Sequence, residues 1–194
     1  LSDTKVAGAI ARCYTKLHKM GYEYLTDSEI PMYDESDMLT ADNMGMIAEK
    51  TGTVENMLWQ TIAQNYNMIR SLIDALPRTL TYNDFYWTNL IVSKNSEIAF
   101  MFDYNLLGKG IAYGDVRNVT SSLSREAAEA FVQEYSGDID EEQKKADAFI
   151  APVVSLVVAC GYEIFPSWAE SSLEELKNGD ILRHLKEWLG MGIL

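Results

Sequence analysis

Three polar residues near the middle of the sequence, Asp84, Asn89 and Asp103, have the types and the spacing that phosphoryl transfer requires. Asn89 follows Asp84 in the same short segment, and Asp103 ends the next apolar segment. In this chemistry one carboxylate orients an acceptor hydroxyl group and takes its proton. An Asn amide oxygen and a second carboxylate hold the magnesium ion that bridges the nucleotide phosphates. The three residues therefore predict a magnesium-dependent site for transfer of a phosphoryl group.

The segment around these residues predicts a structure that would bring them together. An Asp followed five positions later by an Asn is a weak signal by itself, because it occurs by chance in many chains. Here β-branched residues flank the loop within 80–92, a turn follows at 94–96, and an apolar strand leads into Asp103. This pattern is typical of a β-hairpin, in which two carboxylates and an amide can converge. The alternative is that these polar residues only stabilise local turns.

The rest of the sequence is predicted to be mostly helical, because apolar residues recur at helical spacing on both sides of the hairpin. The predicted helices span residues 6–20, 41–50, 53–76, 115–124, 125–135, 141–161 and 173–189. The first of these is predicted to end at Gly21, and the only clear β region lies at 79–104. The predicted fold class is α+β, mostly helical, with one short hairpin that carries the candidate site.

The residues around the candidate site also resemble a known family, the aminoglycoside phosphotransferase and choline kinase-like superfamily. Its catalytic loop reads roughly H-G-D-x-x-x-x-N and is followed by two short strands and an I-D-[WFY] step. The segments Tyr82–Asn89 and Phe102–Tyr104 are similar to these two motifs, and Gly110–Val116 resembles the family's later turn and Asp. The pair Leu17–His18 is similar to the family's L-H pair. The resemblance implies the C-terminal lobe of a protein kinase-like fold.

The resemblance also implies a role for each matching residue. Asp84 would be the catalytic base, and Asn89 and Asp103 would be the magnesium ligands, with ATP or GTP as the phosphoryl donor. Asp115 would support the catalytic loop through hydrogen bonds to its backbone. As a helix N-cap, Asp115 would also satisfy free backbone amides.

The sequence departs from the family at Tyr82 and Asn83, where His and Gly are usual. Tyr82 is expected to replace that His as a packing element that supports the catalytic loop. His18 is predicted to be a packing histidine with satisfied hydrogen bonds. Trp87 lies inside the loop, where it lines the acceptor site in one interpretation and is buried under helices in the other.

The nucleotide-binding half of a kinase has no counterpart in the sequence pattern. A complete kinase covers the nucleotide with a small β-rich lobe that carries a Gly-rich loop and a strand Lys, and this chain shows neither motif. We therefore expect residues 1–194 to form a single domain, the C-terminal lobe of a small-molecule kinase whose N-terminal lobe is absent from this chain. Such an isolated lobe is expected to be inactive. The alternative is a kinase-like binding module without catalysis.

The net charge of −13 bears on the partners. It argues against nucleic acid, whose phosphates require basic patches. It is compatible with a small cationic acceptor, such as an aminoglycoside- or choline-like molecule, which an acidic cleft would attract. The carboxylates expected to contact that acceptor are Glu134, Asp138, Asp140, Glu141 and Glu142. The alternative is that these acids only solvate exposed helix faces.

Compartment and membrane association are predicted from two further features. No apolar segment approaches the length of a membrane span. The two cysteines, Cys13 and Cys160, both lie in apolar helical patterns, so a disulfide framework is not expected. The sequence thus predicts a cytoplasmic protein without a membrane partner.

Overall fold

The computed structural model describes residues 1–25 and 31–191, which divide into two compact units. The first unit is formed by Leu1–Tyr33 and Pro77–Ile139, and the second by Asp34–Leu76 and Asp140–Leu194. Helices dominate both units, and the strands are short. The fold class is therefore α+β and mostly helical, as predicted. The prediction of a single domain over the whole chain stays a prediction.

The elements follow the chain in the order helix, helix, helix, strands, helices. The helices are α1 (Thr4–Leu25), α2 (Ala41–Thr51), α3 (Met57–Ala75), α4 (Ala112–Ser121), α5 (Arg125–Glu134), α6 (Glu141–Cys160), α7 (Glu170–Asn178) and α8 (Asp180–Trp188). The strands are β1 (Thr79–Thr81), β2 (Leu90–Val92), β3 (Ala99–Met101) and β4 (Gly108–Gly110). Short 3-10 turns lie at Glu35–Met38, Trp87–Asn89 and Ser167–Ala169.

The predicted hairpin is confirmed, and the first unit also contains a strand pair that the sequence did not indicate. Strands β2 and β3 pair antiparallel, with Ile91 opposite Phe100. Strand β4, which lies beyond the predicted β region, pairs antiparallel with β1, with Leu80 opposite Lys109. The catalytic loop, defined here as residues 82–89, therefore joins one strand of each pair.

Helix α1 is longer than predicted, because Gly21 does not end it. The helix continues to Leu25, and Gly21 is buried in its last turns. A Cβ atom at this position would overlap the backbone nitrogen of Leu80 and the side chain of Thr79. Glycine at this position therefore lets β1 approach the helix closely, a requirement that hydrophobic spacing along the chain does not reveal.

The core of the first unit lies between α1, α5 and the strands. It includes the aromatic side chains Tyr14, Tyr82, Phe85 and Phe131. The ring of Tyr14 contacts the other three in edge-on geometry, with centroids 6.3 to 6.5 Å apart. Since Tyr82 and Phe85 belong to the catalytic loop, the loop is anchored in the core at two positions.

In the second unit, α6 packs against α2, α7 and α8. The sequence predicted one helix over 173–189, and that prediction is wrong. Gly179 adopts a left-handed conformation with φ of 90° and separates α7 from α8. Such a backbone conformation ends a helix, and glycine is the residue that adopts it at the smallest cost. Among the described helices of the chain, none is long and apolar enough to cross a bilayer.

Candidate active site

The catalytic loop holds Asp84 and Asn89 in direct contact. The Nδ2 group of Asn89 donates a hydrogen bond to Asp84 Oδ2 at 3.1 Å. The loop ends in a 3-10 turn, in which the backbone N–H of Asn89 donates to the Tyr86 carbonyl at 2.9 Å. Because the amide nitrogen of Asn89 faces Asp84, its amide oxygen is the atom that can bind a metal ion.

The hairpin register brings Asp103 to the same end of the catalytic loop. The backbone N–H of Phe102 donates to the carbonyl of Asn89 at 3.0 Å, so Asp103 follows a residue that is bonded to the loop. The Tyr82 hydroxyl group donates to the Phe102 carbonyl from the other side. Asp103 is exposed and has a φ of 66°. Non-glycine residues seldom adopt this conformation, and it is found where a turn or a site demands it.

The Tyr82 side chain is buried, and its hydroxyl group donates to the Phe102 carbonyl, next to Asp103 in the chain. Burial first, and then the charges of Asp84 and Asp103, raise the pKa of Tyr82 from 10.0 to about 12. The phenol therefore stays protonated at neutral pH and remains a hydrogen-bond donor to Phe102.

This pKa shift predicts a loss of stability at alkaline pH that Tyr82→Phe removes. Since the folded state keeps the Tyr82 proton up to about pH 12 and the unfolded state loses it near 10.0, stability falls as the pH rises between these values. Below pH 10 the contribution is complete. Urea unfolding across this interval should show a steeper decline for the wild type than for Tyr82→Phe. Parallel declines would contradict the prediction.

Asp115 connects the catalytic loop to α1 by three hydrogen bonds. The prediction that Asp115 is a helix N-cap is wrong. Helix α4 begins three residues earlier, after Ile111. The buried Asp115 carboxylate instead accepts from the backbone N–H groups of Tyr82 at 2.8 Å and Asn83 at 2.9 Å. His18 Nε2 lies 3.0 Å from the same carboxylate. The expected backbone hydrogen bonds to the loop are thus present in the structure.

His18 is buried and has a partner on each ring nitrogen, as predicted for a packing histidine. Its Nδ1 atom lies 2.6 Å from the Tyr135 hydroxyl group, and its backbone carbonyl accepts from Thr79 Oγ1 at 2.5 Å. Burial first, and then nearby groups that include Asp115, raise the pKa of Tyr135 above its ordinary value. Sequence reasoning missed this bond to Tyr135, because no local pattern relates residues so far apart in the chain.

Asn83, which stands where the family motif usually has Gly, is compatible with the backbone of the loop. Asn83 has a φ of 61°, in the left-handed region where glycine and asparagine are the favoured residues. Its Nδ2 group donates to the Leu106 carbonyl at 2.9 Å. Asparagine can therefore occupy a position where a family motif usually has glycine.

We expect Asn83→Val to lower the free energy of unfolding by about 1–2 kcal/mol relative to Asn83→Gly. Both variants lose the side-chain hydrogen bond to Leu106, so the difference between them mainly reports the strain of a β-branched residue in the left-handed backbone. Urea denaturation of the two variants measures this difference. Equal stabilities would show that the backbone of the loop can relax at this residue.

The candidate metal ligands are few but chemically suitable. In residues 1–25 and 31–191 there is no group of three or more His, Cys, Asp or Glu side chains that could hold a metal ion. The predicted ligands, the Asn89 amide oxygen and the Asp103 carboxylate, are hard oxygen donors, which Mg²⁺ prefers. This ion usually binds one or two carboxylates and completes its octahedron with water and substrate phosphates. A site of this size therefore fits a magnesium ion that arrives with a nucleotide.

Two of the predicted acceptor-binding acids, Glu134 and Asp138, belong to the first unit. Glu134 forms an ion pair with Arg12 at 2.9 Å, and Arg12 also donates to the carbonyl of Glu97 in the hairpin turn. This turn is the end of the hairpin opposite Asp103. Asp138 lies in the segment after α5 and is one of the lesser charges acting on Tyr135.

The other three predicted acids belong to the second unit and serve its helix α6. Asp140 caps this helix by accepting from the backbone N–H of Gln143 at 2.8 Å. Glu141 and Glu142 form ion pairs with Lys144 and Lys145, each at 2.7 Å. These contacts are typical of a solvated helix start.

Comparison with known proteins supports the fold that this site implies. A choline/ethanolamine kinase family protein from Mesorhizobium loti has a similar solved structure, with a TM-score of 0.54 and 14% sequence identity over 94% of this chain. Over the part that it covers, the chain has the fold of this kinase family protein. A macrolide 2'-phosphotransferase from Brachybacterium faecium also matches, with a TM-score of 0.51 and 14% identity over 91% of this chain. The resemblance read from the motifs is thereby confirmed at the level of fold.

The match covers only part of each of these two solved structures. The chain spans 66% of the length of the first of these structures and 61% of the second, less than two thirds of each. No protein-family model matches the sequence, and the search of curated proteins found no match.

Proposed function

We propose that this protein is a phosphotransferase that moves the γ-phosphoryl group of ATP or GTP to a hydroxyl group of a small molecule. The single observation that supports this function best is the geometry around Tyr82. The catalytic loop and the hairpin are tied together by the hydrogen bond from the Phe102 N–H to the Asn89 carbonyl and by that from the Tyr82 hydroxyl group to the Phe102 carbonyl. These two bonds support a common site for Asp84 and Asp103. Solved structures of a choline/ethanolamine kinase family protein and a macrolide 2'-phosphotransferase share the fold, which supports the same reading.

Each residue of the site has a task in this mechanism. The Asp84 carboxylate would orient the acceptor hydroxyl group and accept its proton, while Asn89 Nδ2 keeps one of its oxygens fixed. Asn89 Oδ1 and Asp103 would hold Mg²⁺, which when bound neutralises the phosphate charge. Tyr82 and Asp115 would keep the loop backbone in place, because they bond to the hairpin and to two loop amides. Positioning and charge neutralisation supply most of the catalysis in this class.

The outer face of the hairpin supports the expectation of a nucleotide-binding lobe. Ile91 and Phe100 are cross-strand partners on the face that points away from the core, and both are exposed. Phe102 is also exposed. Apolar side chains clustered in this way mark a surface that another part of a protein covers. We propose that the N-terminal lobe expected from the sequence would pack here, over the nucleotide.

A cationic acceptor remains a finer proposal that rests on the net charge of −13. The ion pairs of Glu134, Glu141 and Glu142 favour the alternative interpretation, in which these acids serve solubility and helix stability. The dependence of the acceptor KM on salt distinguishes the two. An attraction between exposed charges weakens as salt rises, because the screening length is only about 10 Å at 0.1 M.

The test of the proposed function uses the protein with its complete natural reading frame. Calorimetry should detect nucleotide binding that depends on Mg²⁺, and an assay with aminoglycosides, choline-like amines and sugars should detect phosphoryl transfer. Transfer to any of these acceptors supports the enzyme. Absence of magnesium-dependent nucleotide binding would instead support a kinase-like binding module without catalysis.

A further inference from the structure

Two exposed aromatic side chains follow the candidate base directly in the catalytic loop. Phe85 turns into the core, whereas Tyr86 and Trp87 are 58% and 64% exposed. Their ring centroids are 6.0 Å apart, and their planes differ by 36°. The sequence left open whether Trp87 is buried or lines the acceptor site, and the structure shows that it is not buried within the described residues.

The position of these rings is fixed by the loop that carries them. Phe85 packs against Tyr14, and the Tyr86 carbonyl accepts from the backbone N–H of Asn89. Tyr86 and Trp87 also line a pocket of about 290 Å³, together with Leu1, Phe85 and Ser122. The backbone that carries the two rings is therefore held by the same loop contacts that hold Asn89.

We propose that Tyr86 and Trp87 form the surface on which the acceptor rests, and that the acceptor presents a flat apolar face beside its reactive hydroxyl group. This inference rests on the proposed function, because it takes Asp84 as the base. Tyr86 and Trp87 follow Asp84 by two and three positions, so their backbones lie within roughly 7–10 Å of it. A hydroxyl group attached to a ring system through a short carbon chain spans this distance.

The ring geometry favours a flat apolar body over a compact cation. Two rings 6.0 Å apart cannot accept a third ring between them, so an acceptor would contact their exposed outer faces. Such a surface contacts one whole face of a planar group by offset stacking. An ammonium group placed on it would be contacted from one side only, which is a weak form of cation–π binding.

The experiment uses three probes that differ in shape and charge: 2-(2-naphthyl)ethanol, choline and myo-inositol. Binding to the complete protein is followed through the indole N–H signal of Trp87 in ¹H–¹⁵N NMR spectra, assigned by its loss in Trp87→Phe. The naphthyl probe should shift this signal to saturation at lower concentration than choline or inositol. Choline or inositol acting at lower concentration than the naphthyl probe would overturn the proposal.

A double variant with Tyr86→Ser and Trp87→Ser tests the same point by affinity. Its affinity for the naphthyl probe, measured by calorimetry, should fall about tenfold or more. Tyr24→Ser is the matched control, because Tyr24 is 64% exposed on α1 and has no place in the site. Unchanged affinity in the double variant would overturn the proposal. If the double variant fails to fold, the wild-type indole shift alone decides.

Turnover separates this inference from the proposed function. If the naphthyl alcohol is phosphorylated, the double variant should raise its KM much more than it lowers kcat, as expected for lost binding. Equal KM values in the two proteins would refute the aromatic surface but leave the kinase intact. Saturable binding at Trp87 with no transfer to any acceptor would refute the kinase and not the surface.

Discussion

Replacing Asp84 by Asn is expected to lower the rate of phosphoryl transfer by the complete protein by about 10²–10⁴-fold, the usual contribution of a general base. Asparagine has nearly the same shape, and its side-chain oxygen can still accept the hydrogen bond from Asn89 Nδ2. The variant would therefore lose the proposed proton acceptor and little else. Nucleotide binding in the presence of Mg²⁺ should be retained. Single-turnover kinetics and calorimetry on the same preparation measure the two properties.

Asp103→Asn is the matched control, because it should first lower nucleotide affinity in the presence of Mg²⁺, which Asp84→Asn should leave unchanged. It also keeps the side-chain shape, and asparagine tolerates the left-handed backbone that Asp103 adopts. It removes the charge that would hold the metal, so magnesium-dependent nucleotide affinity should fall first. Wild-type turnover in both variants would contradict the whole assignment of the site. A loss of nucleotide affinity in Asp84→Asn equal to that in Asp103→Asn would contradict the separate roles.

The central part of this site could be predicted because its geometry is determined locally. The loop from Asp84 to Asn89 is short, and the following hairpin has a readable turn, so the pairing register alone returns the chain to the loop at Phe102. Hydrogen bonds within such a span depend on residues close in sequence. The pattern therefore predicted the hairpin and the segment in which Asp84 and Asn89 are in contact. The convergence of Asp103 with them on one site stays a prediction.

The features that the sequence did not predict depend on contacts between distant segments. Gly21 looks like a helix end, yet it is a point of close approach to β1. Asp115 looks like a helix cap, yet its carboxylate faces the catalytic loop and His18. In both cases a local preference was overridden by a tertiary contact, which a single sequence does not display. The acceptor-binding acids were predicted from charge alone. Charge does not indicate which of these side chains already have partners.

Asp115→Ala is expected to lower the free energy of unfolding by about 3–5 kcal/mol, more than the substitutions at Tyr82 and Asn83. The Asp115 carboxylate is fully buried and lies beside the His18 imidazole. It accepts hydrogen bonds from two loop amides. Alanine would leave the N–H groups of Tyr82 and Asn83 buried without an acceptor, and a buried donor that loses its partner costs about 1–3 kcal/mol. The small side chain would also leave a cavity in the core.

Glu129→Ala provides the matched control for this prediction. Glu129 is another acid of the first unit, but it is exposed on α5 and its ion pair with Arg125, at 3.6 Å, is open to solvent. Its removal should change the free energy of unfolding by less than about 0.5 kcal/mol. Urea denaturation compares the two variants. Similar small losses in both variants would contradict the prediction. They would mean that burial of the Phe85 and Tyr82 rings is sufficient to hold the catalytic loop without Asp115.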